Sequence, residues 1–226
     1  MSSNYEKKKL LKENDYQVGS GTNLTCAKIS PKKCNVLAAG DDQNNIILWK
    51  LTTTKPKKYL TGARSETYAM IFNEDATTLF TGTVGGTAHV WDMEASVQKS
   101  LFKGHNATCT ALCTSLNDQY LVTGSQDAKV KLWDQRQVQC VATFREHKDT
   151  INSIKMSPDG KWVASGSADG SLKIWDVTAD KVLANFEVPG QQVTTLEYNP
   201  QHLTLANGSS DRTVKYWDLE TMQSIA

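Results

Sequence analysis

Short runs of alternating apolar and polar residues recur along this chain, each closed by turn-forming residues. No stretch keeps the spacing of an amphipathic helix. The clearest unit lies between residues 104 and 145. Cys109–Thr114 predicts a short strand, and Asn117-Asp118 a turn after it. Tyr120–Ser125 predicts a second strand, followed by a tight turn at residues 126–128. Across residues 129–134, Val130 and Leu132 fall on one face and Lys129 and Lys131 on the other, which predicts a third strand. Residues 138–145 predict a fourth. The next unit repeats the layout, with Ser157-Pro158-Asp159-Gly160 at its first turn.

The pattern has a fixed period. Trp49, Trp91, Trp133, Trp175 and Trp217 are each 42 residues apart, and only Trp162 falls off that lattice. Nine residues upstream of them run Gly40, Gly82, Gly124, Gly166 and Gly208. Asp92, Asp134, Asp176 and Asp218 follow four of the tryptophans, whereas Lys50 follows the first. Two residue types holding one register through five copies define a repeat. Four short strands per period make the blade of an all-β propeller. Five four-stranded blades are expected, at about residues 20–61, 62–103, 104–145, 146–187 and 188–226, with the last cut short. Shifting the fourth strand back by three periods lands on residues 12–19, so residues 1–19 read as a polar segment ending in an outer, ring-closing strand. The register suggests an incomplete ring of six or seven blades.

Gly104-His105, the turn Gly124-Ser125-Gln126-Asp127 and the pair Trp133-Asp134 resemble a WD40 repeat, and the resemblance covers about residues 20–226. It implies a buried chain of His, Ser or Thr, Asp and Trp in each complete blade, placed 28, 8 and 6 residues before the tryptophan. The third blade then has His105, Ser125, Asp127 and Trp133, and the fourth His147, Ser167, Asp169 and Trp175. The fifth keeps Ser209, Asp211 and Trp217 but has Pro189 in place of histidine. The second keeps Thr83 and Trp91, with Ala63 and Gly85 elsewhere; the first has Gly21, Asp41, Gln43 and Trp49. The two N-terminal blades are therefore expected to rest on apolar packing. Ser125, His105 and Asp127 also have the residue types of a hydrolase triad. That trio recurs 42 residues on, as a structural module does and a single active site does not. No catalytic residue is assigned, and the protein is expected not to be an enzyme.

Charge and cysteine narrow the class. The chain carries 25 Lys and Arg against 24 Asp and Glu, which argues against a nucleic-acid binder. No apolar run is long enough to span a bilayer, and the start of the chain has no hydrophobic segment of the signal type. Five cysteines without zinc spacing point to a reducing compartment, with Cys109 and Cys113 read as buried thiols facing the same way. No metal site, cofactor motif or small-molecule substrate is indicated. His89 and His202 are expected on exposed strand faces. Residues 1–60 hold eleven lysines and five acids. Lys7, Lys8, Lys9, Lys12, Lys55, Lys57 and Lys58 form a candidate basic edge for an acidic partner; edge lysines also block strand-to-strand pairing.

Propellers bind partners on the face where blade-to-blade loops meet the turns after each second strand. Arg64, Ser65, Glu66, Asn106, Lys148, Asp149, Gln191 and Gln192 occupy those loops. Asp42, Val84, Gln126, Ala168 and Ser210 occupy the turns. The mixed character suits a protein ligand.

Three longer stretches are similar to the WD40-bearing regulatory subunits of katanin, a microtubule-severing complex. They are Gly124 to Asp127 with Lys131-Leu132-Trp133-Asp134, Ser157 to Trp162, and Gly208 to Thr213 with Trp217-Asp218-Leu219-Glu220. The resemblance implies a scaffold that targets a severing ATPase to tubulin and microtubules, in the cytoplasm and at the cytoskeleton or centrosome. A competing reading is a substrate receptor of a cullin-type ubiquitin ligase, suggested by the box Trp133-Asp134-Gln135-Arg136. A WD40 scaffold of unrelated assignment is the third.

Overall fold

The computed structural model describes residues 22–31, 35–51, 56–187, 191–199 and 202–225. Among the described residues twenty strands form five four-stranded antiparallel sheets, each made by consecutive strands. The first blade is β1 to β4: Leu24–Ile29, Val36–Asp41, Ile46–Lys50 and Pro56–Leu60. The second, β5 to β8, is Thr67–Phe72, Thr78–Thr83, Thr87–Asp92 and Val97–Lys103. The third, β9 to β12, is Cys109–Thr114, Tyr120–Ser125, Val130–Asp134 and Gln139–Phe144. The fourth, β13 to β16, is Ile151–Met156, Trp162–Ser167, Ser171–Asp176 and Lys181–Glu187. The fifth, β17 to β20, is Val193–Tyr198, Thr204–Ser209, Val214–Asp218 and Gln223–Ser224. This is a WD40-type β-propeller. The expected closing strand at residues 12–19 lies outside the described residues.

Side-chain and backbone chemistry repeat in the hairpins as the tryptophans do. The aspartate after each of four tryptophans accepts backbone N–H groups of the next turn: Asp134 from Arg136 (2.7 Å) and Gln137 (3.1 Å), Asp176 from Thr178 (2.8 Å) and Ala179 (2.9 Å). Asp92 and Asp218 do the same. The chain then turns back through a left-handed residue at one register, Ser96, Val138, Asp180 and Met222. A second left-handed register runs through Asn44, Gly86, Ala128, Gly170 and Arg212.

Blades stack face to face, and one interface repeats four times. On its leading side each blade offers one apolar side chain from its second strand and two from its third. Phe80, Ala88 and Val90 in the second blade, and Val122, Val130 and Leu132 in the third, are buried there. The next blade covers them with its tryptophan: Trp91, Trp133, Trp175 and Trp217 each belong to the core shared with the preceding blade. Phenylalanines of the outer strands complete the contact, with Phe144 against Trp175 at 4.7 Å and Phe186 against Trp217 at 4.4 Å between ring centres.

The glycine register belongs to the same interface. A side chain at the start of each inner strand sits on the glycine of the blade before it: Thr67 on Gly40, Cys109 on Gly82, Ile151 on Gly124 and Val193 on Gly166. One residue later the inner strands bulge, as the register shifts at Ile151/Ser153 and Val193/Thr195 record. The bulged residue turns its side chain to the next blade. Thr25 Oγ1 donates to the Thr67 carbonyl (2.5 Å), Thr110 Oγ1 to the Ile151 carbonyl, and Asn152 Nδ2 to the Val193 carbonyl (2.9 Å).

The bulge corrects the expectation that Cys109 and Cys113 face the same way. Cys109 lies on Gly82 of the second blade, while Cys113 belongs to the core shared with the fourth. Both are buried, and burial pushes both thiols up to about 12. His89 is also corrected: it is buried, stacked on Trp91 at 5.7 Å, rather than exposed. Alternation along a strand marks a solvent face only where one face is covered, and the second blade is covered on both.

Candidate functional site

The third and fourth blades each carry a continuous polar chain. Trp133 Nε1–H donates to Thr123 Oγ1 (2.8 Å), which lies 2.7 Å from His105 Nε2. His105 Nδ1 faces both carboxylate oxygens of Asp127 at 3.1 Å. A neutral imidazole protonated on Nδ1 satisfies every group: Trp to Thr, Thr to His, His to Asp. In the fourth blade the same path runs Trp175, Ser165 (2.7 Å), His147 (2.7 Å) and Asp169 (3.2 Å), and Ser171 donates to Asp169 at 2.6 Å. Burial pushes the His147 imidazole down to about 4, against the pull of Asp169. Burial works against the Asp169 carboxylate, but hydrogen bonds from Ser171 and the Lys148 and Ser171 N–H groups hold it at about 2.

The structure brings the histidine, aspartate and tryptophan of the expected chain together, and a different hydroxyl joins them. Ser125 does not join His105 to Trp133; its Oγ donates to the Ala107 carbonyl (3.1 Å) and accepts the Asp127 N–H (3.1 Å). Ser167 does the same with Asp149 (3.0 Å) and Asp169 (3.1 Å). The linking hydroxyls are Thr123 and Ser165, ten residues before their tryptophans. Each imidazole Nε2 faces that hydroxyl, so neither serine is paired with the histidine as a nucleophile would be with its base.

The other blades use different groups at the same register. In the fifth, Trp217 Nε1 donates to Asn207 Oδ1 (2.7 Å), and Asp211 takes up Thr213 instead of a histidine. Pro189 lies outside the described residues. The second blade adds polar contacts to the apolar packing expected of it. Trp91 donates to Thr81 (3.0 Å), and His89 bridges Thr87 (3.1 Å) and Gln98 (2.9 Å). In the first, buried Asp41 accepts the N–H groups of Gln43 (3.0 Å) and Asn45 (2.7 Å). Gly21 lies outside the described residues.

These networks position a rim. In every blade the turn after the second strand donates a backbone N–H to the start of the inner strand: Asp42 to Asn23 (3.1 Å), Val84 to Glu66 (2.9 Å), Gln126 to Thr108 (3.0 Å), Ala168 to Thr150 (2.8 Å) and Ser210 to Gln192 (3.0 Å). Ser65 Oγ accepts the Gly85 N–H, and Ser210 Oγ accepts the Gln192 N–H. Asp127 and Asp169 reach further, accepting the N–H of Asn106 (3.1 Å) and Lys148 (2.7 Å). The tips are thereby fixed, in part by their own side chains: Asp42 also accepts from Asn23, and Gln191 from Ser210. Arg64, Glu66, Asn106, Gln126, Lys148, Asp149 and Gln192 are exposed, and Gln191 is half-buried. Below the rim the five inner strands line a cavity of about 610 Å³.

Other candidates fare differently. Lys58 is tied to the second blade, donating to Ser96 Oγ (2.7 Å) and the Glu94 carbonyl (3.4 Å), so it is no part of a free basic edge. Lys7, Lys8, Lys9, Lys12, Lys55 and the side chain of Lys57 lie outside the described residues. Arg136 is exposed, but its N–H makes the same turn to aspartate as Glu94, Thr178 and Glu220, so the geometry of the Trp133–Arg136 box is that of the repeat. Among the described residues no group of three His, Cys, Asp or Glu side chains is placed to hold a metal ion.

Repeated blades, two of them pinned from tryptophan to the turn above, define a modular β-propeller scaffold. The chain belongs to the WD domain, G-beta repeat family, whose model matches residues 54–92, 96–134, 138–176 and 181–218. Each match ends on the aspartate that follows a lattice tryptophan. The first blade, with Lys50 in that place, contributes only its outer strand to them. A comparison with curated proteins gives no match.

Proposed function

We propose that this protein is a non-catalytic interaction scaffold that holds protein segments on its rim of loops and turns, and that the assembly it serves is a microtubule-severing complex of the katanin type. One observation supports the scaffold reading above others: each blade ties its turn to its inner strand by a backbone hydrogen bond, while Arg64, Glu66, Asn106, Gln126, Lys148 and Gln192 stand exposed at the tips. A rim ordered in advance loses little conformational entropy when a partner docks. The katanin reading rests on the order of the three sequence stretches and on the lysine excess of residues 1–60, which suits the acidic tails of tubulin.

Co-sedimentation with microtubules at low salt tests it. The protein is expected to pellet with intact microtubules and to remain in solution when their acidic tails are removed. No pelleting at low salt overturns the microtubule reading. Pelleting that is unchanged in Arg64→Glu/Lys148→Glu, with unchanged melting, overturns the rim as the contact.

A further inference from the structure

Among the described residues four outer strands run longer than two residues, and β12 alone of them has neither a charged residue nor a proline. β4 holds Pro56, Lys57 and Lys58, β8 holds Lys99 and Lys103, and β16 holds Lys181 and Glu187. Such residues keep an open strand edge from pairing with another chain. β12 closes its sheet on the outside, and among the described residues no backbone group of Gln139–Phe144 bonds beyond that sheet. At the bulge where β8 carries Lys99, β12 carries Val141, 51% exposed. Val138, just before the strand, is 44% exposed. Its backbone is left-handed, at φ 54°, a conformation costly for a β-branched residue, and its own burial does little to offset that cost. Arg136 and Arg145 bracket the strand; both are exposed, and neither forms an ion pair among the described residues. Asp134 gives its carboxylate to the turn, which leaves Glu146 as the acid next to them along the chain.

We propose that the β12 edge is a docking site for an extended segment of a partner protein, added to the third blade as a further strand. The chemistry of the edge specifies the segment. Its backbone pairs with the open side of Gln139–Phe144, and its β-branched or aromatic side chains cover Val138 and Val141. Carboxylates at its two ends meet Arg136 and Arg145. A second copy of this chain fits poorly, because two β12 edges paired in either direction set arginine against arginine, and like charges opposed across a ladder are destabilising. Covered by a guest strand, the strained valine buries apolar surface that the free protein leaves in water. The edge lies on the circumference of the propeller, apart from the rim, and docking there does not depend on the microtubule reading.

Fluorescence anisotropy tests the proposal, with a short labelled peptide of alternating valine and threonine that carries glutamates at both ends. This probe is expected to bind the full chain and to slow backbone amide exchange across Gln139–Phe144. The same peptide with serine in place of valine is expected not to bind. Val141→Lys, which restores the guard that β8 has, is expected to weaken binding about tenfold or more with the melting temperature unchanged. Val138→Asn is expected to weaken binding while raising the melting temperature, opposite signs that a purely structural valine would not give. No binding of the probe, equal binding of the serine peptide, exchange that slows only elsewhere, or an affinity that either substitution leaves intact overturns the proposal. So does a dimer of the free protein in sedimentation that Val141→Lys abolishes, which gives the edge to a second copy.

Discussion

A β-carbon on Gly124 would stand 2.5 Å from Ile151 Cγ2 and 2.6 Å from Ile154 Cδ1. The glycine register is thus a set of notches between blades, not a set of turns. Gly124→Ala forces the third and fourth blades apart and is expected to cost about 2–3 kcal/mol, the range of core overpacking. Gly208→Ala meets only the ends of two threonine side chains and is expected to cost about 1 kcal/mol or less. Urea denaturation of both variants measures the difference. Equal losses would show that the neighbour's side chain is not what the glycine accommodates.

Thr123, not Ser125, links indole to imidazole, and both are fully buried. Thr123→Val keeps the shape but leaves the Trp133 N–H and His105 Nε2 without partners, at an expected cost of about 2–3 kcal/mol. It should also shift the Trp133 indole N–H signal in a nitrogen–proton correlation spectrum. Ser125→Ala is expected to leave that signal in place, because it removes bonds only to Ala107 and Asp127. A signal moved by Ser125→Ala and untouched by Thr123→Val would reverse the assignment.

Thr123 and Ser125 mark how far residue identity reaches in this chain. The period and the third-blade strands at Cys109–Thr114 and Tyr120–Ser125 follow from residue identity and spacing, and the His105, Asp127 and Trp133 positions from the WD40 resemblance. Thr123 and Ser125 sit two apart on one strand, so they share a face, and residue type does not choose between them. Only distance along the ladder does: Trp133 is paired with Leu121, which brings its ring N–H next to Thr123. Alternation sets Lys131 on the face opposite Val130 and Leu132, and His89 is expected on an exposed strand face. In the stacked blades that face is also an interface, where Lys131 Nζ lies 5.7 Å from the centre of the Trp133 ring and bonds Thr143 at 3.0 Å. The exposed flank of the fifth blade could not be read from residue type at all, since Val214 and Tyr216 look like the core residues they match in register.

Stability should fall as pH drops through the mildly acidic range. His147 binds its proton at about 4 in the folded state, against an ordinary value near 6.5. The folded state favours the neutral ring, so this contribution is complete above about pH 6.5 and is lost as pH falls from there toward 4. Its full size is about 3 kcal/mol. Asp169 is held low as well, and its contribution is lost only below the ordinary carboxylate range. Urea midpoints at pH 7, 5.5 and 4.5 should therefore decline for the native protein and decline less steeply for His147→Gln. Parallel slopes would remove His147 as a source of the acid sensitivity. His105 and His89, which burial also shifts down, contribute to the slope that remains.

Val138 is the one β-branched residue among the described residues with a left-handed backbone, at φ 54°. The register demands it: after Asp134 folds the turn onto Arg136 and Gln137, the chain can re-enter the sheet at Gln139 only through that conformation. Ser96, Asp180 and Met222 accept the same geometry with unbranched side chains. Left-handed backbone costs roughly 1–2 kcal/mol for an ordinary residue and less for asparagine, whose side chain bonds locally. The Val138 side chain is 44% exposed, so little burial is given up on replacing it. Val138→Asn is therefore expected to raise stability by about 1 kcal/mol, and Val138→Gly by less, because glycine also frees the unfolded chain. Calorimetric melting of the three proteins checks the order. A variant no more stable than the native chain would mean that the valine side chain contributes packing here that outweighs the strain of its backbone.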